Sequence, residues 1–521
     1  MGVDGNASLT RRKRVGGARL AAPPQDEHTA LLAANGLLLH NSGQSAHVAV
    51  TPRQARMVGR LFLTFGLMGL LWPEVLLIAL GAVGSVLFAA ILLWRVALVW
   101  RGVAQMGGTV AQNGNCAADE GLPTYTLLIA LYDEAETARQ LATAIRGLDY
   151  PQHKLDLKLL IEAGDDVTEA ALRAERWPVQ TELLVLPNGT PRTKPRALNF
   201  GLARARGEFV VVYDAEDRPD ARQLREAVAA FQGAPKGLAC VQAPLVGQGG
   251  TQSWTAGQWA LEYAIQFGIL LPALASWNMP IALGGTSNHF RRNVLEAVGG
   301  WDAWNVTEDA DLGLRLARQG YRVGMISAPT LEAPPAKISI WMPQRSRWLK
   351  GFLQTWLVIM RHPRQAAREM GGLAFASMQL TLGATLLSAI AHGPWLFWCL
   401  LCFASPHVSL GWLGTVFFVL TYTLGLTTAL IAPGGLTWRR LVLSMTLPLY
   451  WPLQSLAMMR ALYGLYTCPH FWAKTPHEAV ATTGQPECLI GPSPLPGFVH
   501  ASSLSSLPTG VRQSHETTLP A

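Results

Sequence analysis

Charge is what this sequence has least of: Asp, Glu, Lys and Arg make up 15% of 521 residues, against 50% hydrophobic residues. A chain that apolar is not an ordinary soluble protein, and the balance points to membrane segments. Cysteine is scarce as well. The six, at positions 116, 240, 399, 402, 468 and 488, are scattered and outline no disulfide framework. Cys399 and Cys402 enclose only Leu-Leu within a membrane-like run, so they read as small buried apolar residues rather than a redox pair. No secretory signal is expected, because the first apolar run begins only near residue 57. The net charge of +8 comes without a basic stripe interleaved with aromatics, a helix-turn-helix or a zinc pattern, which excludes nucleic acid as the partner.

The positive charge that is present is unevenly placed. Residues 1–60 carry eight Lys or Arg against three acids. A basic flank ahead of a hydrophobic run fits the positive-inside rule and contact with an anionic lipid bilayer. Residues 1–56 are rich in Gly, Ala, Ser, Asn and Pro and read as a disordered basic tail, although the stretch 31–40 could dock somewhere. Residues 57–100 are nearly uncharged and broken at Trp72-Pro73-Glu74, which predicts a transmembrane hairpin with both ends inside.

After a Gly/Asn-rich linker (101–121) the texture changes. Apolar runs at 126–136, 155–166, 181–187, 207–217 and 238–244 alternate with helical stretches at 135–148, 169–176, 194–206 and 219–232. Strands alternating with helices predict an α/β domain over 122–340, built on a doubly wound, mostly parallel sheet. Past residue 365 the membrane texture returns, with clear spans at 372–392 and 410–432. The run 394–403 either extends the first span past a Pro kink or begins another. The segment 441–465 is apolar but holds Pro448, Pro452 and Arg460, and spanning, re-entrant and interfacial readings all stay open for it. Transmembrane helices are therefore expected over 372–465, followed by a Ser/Pro/Thr-rich tail over 466–521.

Carboxylates gather at the predicted strand ends and their loops: Asp133-Glu134, Asp165-Asp166, Asp214-Ala215-Glu216-Asp217 and Thr307-Glu308-Asp309. Ligands in open α/β sheets bind beyond the carboxyl ends of the strands, so four such acidic positions argue for one shared crevice. Hard oxygen ligands suit Mg²⁺ or Mn²⁺ against substrate phosphates, and a further carboxylate could take a proton from an attacking hydroxyl. Lys194 and Arg196 open a helix, where cations and exposed N–H groups attract anions. His289, alone after Gly284-Gly285, reads as structural. In 341–365, Trp348, Phe352 and Trp356 recur at i, i+4, i+8 and basic residues flank them, which predicts an amphipathic interfacial helix directly before the next span.

With Thr307-Glu308-Asp309 intact and Gln344-Arg345-Ser346-Arg347-Trp348 in a Q-x-x-R-W pattern, the chain resembles the processive inverting family 2 glycosyltransferases. These are membrane-bound, cellulose-synthase-like enzymes, and the resemblance runs over roughly 57–480. Within that family the segments 193–220, 283–293, 299–316 and 471–478 look like a bacterial exopolysaccharide-synthase subgroup. The resemblance implies a GT-A-like domain on the cytosolic side of a bacterial inner membrane. It would transfer sugar from a nucleotide sugar, a UDP-sugar in preference to a GDP-sugar, to a growing polysaccharide or lipid-linked acceptor, and carry the product outward.

It also implies roles. Asp133, Glu134, Asp165, Asp166 and Lys194 would lie on the donor nucleotide side. Asp214 and Glu216 occupy the D-x-D positions for Mg²⁺ or Mn²⁺, with Asp217 the rival second ligand. Within Thr307-Glu308-Asp309 the base would be Asp309. Gln344, Arg347 and Trp348 would border the diphosphate and acceptor. No regulatory barrel domain follows the last membrane segment, so separate regulatory or export subunits are the expected partners for control. Two other readings compete with polymer synthesis. One is a non-processive transferase acting on a lipid carrier; the other is an inactive membrane transporter or receptor, against which the nearly charge-free spans speak.

Overall fold

Apolar β-branched and leucine-rich runs that are buried on both faces form the centre of the α/β unit, as a parallel sheet requires. The computed structural model describes residues 24–106, 119–234, 237–250, 252–405 and 411–472. Residues 107–118 of the linker predicted over 101–121 and the tail from 473 onward lie outside the described residues, as do residues 1–23.

The described chain opens with helix α1 (Pro24–His40), then α2 (Pro52–Leu71) and α3 (Pro73–Met106). The break between α2 and α3 falls at Trp72-Pro73, where the proline has no N–H to donate and so cannot carry the hydrogen-bond ladder of α2 onward. The α/β unit follows: β1 (Tyr125–Leu131), α4 (Ala138–Arg146), β2 (Leu155–Glu162), α5 (Asp166–Ala174), β3 (Gln180–Leu186), α6 (Lys194–Leu202), β4 (Phe209–Tyr213), β5 (Arg218–Pro219), α7 (Gln223–Gly233), β6 (Leu238–Gln242) and β7 (Leu245–Gly247). Next come α8 (Trp254–Ile265), α9 (Leu271–Ser276), β8 (Asn288–Arg291), α10 (Arg292–Ala297), α11 (Glu308–Arg318), β9 (Arg322–Met325) and β10 (Thr330–Glu332). The chain then turns all-helical: α12 (Ile338–Ile359), α13 (Pro363–Met370), α14 (Gly372–Met378), α15 (Ala384–Ala404), α16 (Gly411–Ile431), α17 (Trp438–Met445) and α18 (Leu447–Thr467).

The main sheet has seven strands in the order β3-β2-β1-β4-β8-β6-β9, and β5-β10-β7 form a small second sheet. Strands β3, β2, β1 and β4 run parallel, whereas β8 pairs antiparallel with both β4 and β6. The mostly parallel, doubly wound architecture is as expected, with one difference: β6 does not neighbour β4, because β8 lies between them. The four residues of β8, Asn-His-Phe-Arg, form no apolar run that periodicity could detect. Each face of the sheet has its own core. Leu128, Leu160, Val210, Val212 and Phe290 pack on one side, and Leu127, Ile129, Leu157, Leu159 and Val211 on the other.

Two expectations are corrected. The tail read as disordered over 1–56 is, from residue 24 on, a docked arm. Ala30, Ala33, Ala34 and Leu37 are buried on one face of α1, and the Asn199 side chain of α6 donates to Ala33 O at 2.9 Å. Small side chains allow that close approach without supplying hydropathy. The aromatic face of α12, expected at the bilayer surface, is taken up inside the protein instead. Trp348, Phe352 and Trp356 are half-buried against clusters that include Ala389, Tyr450 and Met378, because α15 and α18 cover that side.

Among the described residues, four helical stretches are long and apolar enough to cross a membrane: Pro73–Met106, Trp254–Ser276, Gly372–Ala404 and Gly414–Ile431. The apolar window of Pro73–Met106 is 0% buried, so most of its apolar surface is left uncovered by the rest of the chain. The window in Trp254–Ser276 is 56% buried, because that stretch packs into the α/β unit. Neither α2, the first half of the predicted hairpin, nor α17–α18 is among the four.

Candidate active site

The carboxyl ends of β1, β2 and β4 open on one side of the sheet, and a cavity of about 810 Å³ lies over them. That is the crevice position expected of ligands in an open α/β sheet. Glu134 after β1, Glu162 at the end of β2, and Asp214 and Glu216 after β4 line it. Lys194 enters from the first turn of α6, and Thr307, Glu308 and Asp309 from the start of α11. Gln344, Arg347 and Trp348 close it from α12. Residues from five predicted stretches thus share one cavity.

The turn after β4 distinguishes its three acids. Asp217 is 1% exposed, and its Oδ2 accepts from the Asp214 amide at 2.8 Å and from the Thr286 hydroxyl. It braces the turn from inside the fold and does not line the cavity, which corrects the expectation that it might serve as the second ligand. Asp214 faces inward and takes the Lys194 ammonium, whose Nζ also donates to Gly285 O at 2.8 Å. Burial works against that ammonium, yet Asp214 and Glu308 beside it hold the pKa above the ordinary lysine value.

The predicted nucleotide-side acids divide in the same way. Glu134 lines the cavity; Asp133, Asp165 and Asp166 do not. Asp165 is instead the N-cap of α5, accepting from Thr168 N at 3.2 Å, and its other oxygen accepts from the Asp133 amide at 2.6 Å. It thereby fixes the β1 loop, where Asp133 takes a left-handed φ of 53°. Arg196 is not available to an anion: its guanidinium, 1% exposed, is paired with Glu162 at 2.9 Å and donates to Pro187 O. His289 is a core residue, in contact with Tyr125 Oη at 2.7 Å and with its pKa pushed down to about 3 by burial.

At the other wall, burial and the neighbouring Asp309 push Glu308 up to about 7, against the pull of Lys194 and Arg347. Burial also raises Asp309, opposed by the Ala310 amide at 2.8 Å and by the same two cations. Arg347 donates to Val306 O at 3.2 Å and lies 5.1 Å over the Trp472 ring. Its neighbour Arg345 turns away, paired with Glu262 and 4.8 Å over the Trp348 ring. Arg347 is therefore the member of the pair that faces the acids. The Gln344 Oε1 atom is buried without a hydrogen-bond partner among the described residues.

Several lining residues escaped sequence reasoning. Glu332, at the end of β10, is pushed up to about 8 by burial and by repulsion from Asp214 and Glu216. The strand-end rule that found the other acids would have found it, had the three-residue strand been visible. Trp259 and Tyr263 of α8 stack at 3.6 Å, and Tyr263 stands 6.4 Å from Trp348 at 22°, so aromatic faces form one wall. Trp304, His470, Phe471 and Trp472 line it as well; three of them fall in the segments 299–316 and 471–478 that carry the resemblance, which gave them no role in the site.

Comparison with known proteins bears on the chemistry. Residues 209–465 match the sequence model of Glycosyl transferase family group 2. The chain is 24% identical over 326 residues to a protein described as probable glycosyltransferase YdaM of Bacillus subtilis, covering 60% of this chain and 74% of that one. It is 26% identical over 281 residues to beta-monoglucosyldiacylglycerol synthase of Synechocystis, covering 52% and 58%. With the cellulose synthase catalytic subunit of Xanthomonas axonopodis it shares 28% over 244 residues, covering 46% and 32%. The alignments thus span less than two thirds of the last two relatives. Among solved structures, mannosyltransferase PcManGT from Pyrobaculum calidifontis, in complex with GDP-Man and Mn2+, aligns with a TM-score of 0.42 at 20% identity, covering 73% of this chain and 99% of that one. A likeness of that size carries no argument about chemistry. The family match over residues 209–465 and the curated relatives, together with the mostly parallel sheet and its carboxylate-lined crevice, show a family 2 glycosyltransferase domain in this chain.

Proposed function

We propose that this chain is a membrane-embedded inverting glycosyltransferase that moves sugar from a nucleotide-sugar donor to a growing polysaccharide and passes the product outward. The observation that carries the reading is the convergence of Lys194, Asp214, Glu216, Asp309, Arg347 and Trp348 on one cavity. These side chains come from three separate regions of the chain, and nothing structural requires them to meet.

In this reading Asp309 takes the proton of the acceptor hydroxyl as that oxygen attacks the anomeric carbon, and configuration inverts. Trp348 offers its face to the acceptor ring, with Tyr263 and Trp259 extending the aromatic wall. Lys194 and Arg347, whose charge both Glu308 and Asp309 feel, are the cations for the departing diphosphate. A Mg²⁺ or Mn²⁺ ion fits the donor set: Asp214 and Glu216 offer hard oxygens in the cavity, and their repulsion, felt at Glu332, is what a cation relieves. Among the described residues no three His, Cys, Asp or Glu side chains are gathered as a complete metal cage. Two carboxylates plus substrate phosphates is how Mg²⁺ is commonly held. Once bound, the ion would neutralise charge on the diphosphate.

The exposed apolar helices favour a bilayer setting, with the cavity on the cytosolic side and the basic N-terminal flank inside. A second reading has the same site glycosylate a lipid, as the name of the Synechocystis relative says of that protein. Both are tested by one experiment. Protein in detergent or native membranes is given radiolabelled UDP- and GDP-sugars with Mg²⁺ or Mn²⁺, and the product is separated into solvent-extractable lipid and gel-retained polymer. Label in the polymer supports the first reading and label in the lipid the second. Incorporation into neither overturns both.

A further inference from the structure

We propose that the N-terminal arm, residues 41–51 carried behind α1, is a positioning element of the site, anchored on Asp302, and that it ties the loop bearing the catalytic carboxylates to α12. This rests on reading Thr307–Asp309 as the segment that activates the acceptor.

The loop from Trp301 to Val306 leads directly into Thr307. Its inner side is held from α6 and from α12: Thr193 Oγ1 donates to Ala303 O at 2.9 Å, Asn199 brackets Trp301, and Gln354 Oε1 of α12 accepts from Val306 N at 3.2 Å. Its outer side is held by the arm. The Asp302 carboxylate, 1% exposed, accepts from Ser45 Oγ at 3.0 Å and from the Ala46 amide at 2.5 Å. The same carboxylate closes the loop's own turn by accepting from Trp304 N at 3.2 Å. A buried carboxylate needs such donors, so arm and loop hold each other's geometry.

The arm also backs the cavity wall. The His47 ring packs edge-on to Trp304, with centroids 4.5 Å apart, and Trp304 lines the cavity. His470, another lining residue, spans the two: one ring nitrogen contacts Trp304 O at 2.8 Å and the other contacts His47 O at 3.1 Å. At its far side the arm wraps one guanidinium. Arg361, just past α12, donates to Ser42 O at 3.4 Å, Gly43 O at 3.2 Å, Ser45 O at 3.0 Å and also to Val48 O. One turn further on, Gln54 Nε2 donates to Leu357 O of α12 at 2.8 Å. Asp309 sits on one side of this clamp and Gln344, Arg347 and Trp348 on the other. α12 also reaches the loop directly, through Gln354 on Val306 and Thr355 on Asn305, and the clamp reinforces from outside that spacing between the proton acceptor and the groups facing the diphosphate and acceptor ring.

The test uses the full chain with Ser45→Ala, Arg361→Met and the conservative Ser45→Thr. Three quantities are read: hydrogen exchange across 301–309, kcat and KM for sugar transfer, and binding of UDP and GDP with Mn²⁺. The expected result for Ser45→Ala and Arg361→Met is faster exchange confined to 301–309 and a kcat lower by about tenfold to a hundredfold, the scale at which a displacement near 1 Å acts. Nucleotide affinity stays within about twofold of the parent, and Ser45→Thr recovers kcat. Parent-like exchange and kcat in both variants overturn the proposal. So does faster exchange throughout β1–β4 with loss of nucleotide affinity, which is the signature of a purely structural arm. Should the parent transfer no sugar, the functional reading fails, and the exchange measurement alone decides whether the arm positions the loop.

Discussion

Gly351 of α12 lies directly against Thr307 of the proposed catalytic segment. A Cβ added there would stand 2.6 Å from Thr307 Cγ2 and 2.7 Å from Thr307 N. Carbon contacts are comfortable at about 3.5–4.0 Å, so Gly351→Ala forces helix and loop apart by close to 1 Å. One obstructing atom is backbone, and Thr307 itself is 4% exposed, so no flexible tip can swing aside. Overpacking of this kind costs about 1–3 kcal/mol of stability. Because the displaced loop carries Asp309 and the displaced helix carries Arg347 and Trp348, kcat should fall about 100-fold, the effect of an ångström-scale misplacement. The assay is initial-rate transfer in detergent, with thermal unfolding as the companion. Gly81→Ala is the control, since Gly81 lies in α3 with nothing within 4 Å of an added Cβ; it should leave kcat unchanged and favour the helix slightly. A Gly351→Ala enzyme with parental kcat would refute the claim that this approach sets the site.

Further expectations follow from the same geometry. Burial raises Asp309, and only its ionised form accepts a proton, so transfer should fail as pH drops through a value above the ordinary aspartate range. Arg347 pulls that value down, so Arg347→Gln should move the acid limb of the kcat profile to higher pH as well as slow the reaction; an unmoved limb would contradict the pairing. Glu216→Gln should weaken Mn²⁺ binding measured by electron paramagnetic resonance. Asp217→Asn should leave it near the parental value, because Asp217 holds the turn from within. Chelation with EDTA should abolish transfer and Mg²⁺ or Mn²⁺ should restore it. Lys194→Met should weaken nucleoside diphosphate binding by about 10–100-fold, the loss of one charge-assisted contact of about 1.5–3 kcal/mol.

How far the sequence could be read depended on how each feature is encoded. The strands β1–β4 and β6 are apolar runs with turn residues at their ends, and periodicity alone finds them. The motifs at Thr307–Asp309 and Gln344–Trp348 are contiguous and carry their chemistry in side-chain type. Which of two adjacent acids faces a cavity is decided by the turn, so Glu216 and Asp217 could not be separated without coordinates. β8 was invisible because four residues with a buried His and Asn imitate a loop. The arm left a fainter trace: Ala30, Ala33, Ala34 and Leu37 fall at helical spacing, but alanines add little hydropathy, and composition made the segment look unstructured. Asp165 drew attention for its charge, yet it serves as a helix cap, a role that any Asp before a helix competes for.

The central claim is that Asp309 takes the acceptor proton in a nucleotide-sugar transfer. Asp309→Asn tests it most directly, because the amide keeps the shape and the Ala310 contact while removing the base. Transfer from the radiolabelled donor should fall by about 10²–10⁴, the usual contribution of a general base, with Mn²⁺-dependent binding of the nucleoside diphosphate retained. An Asp309→Asn enzyme that transfers sugar at the parental rate would contradict the account.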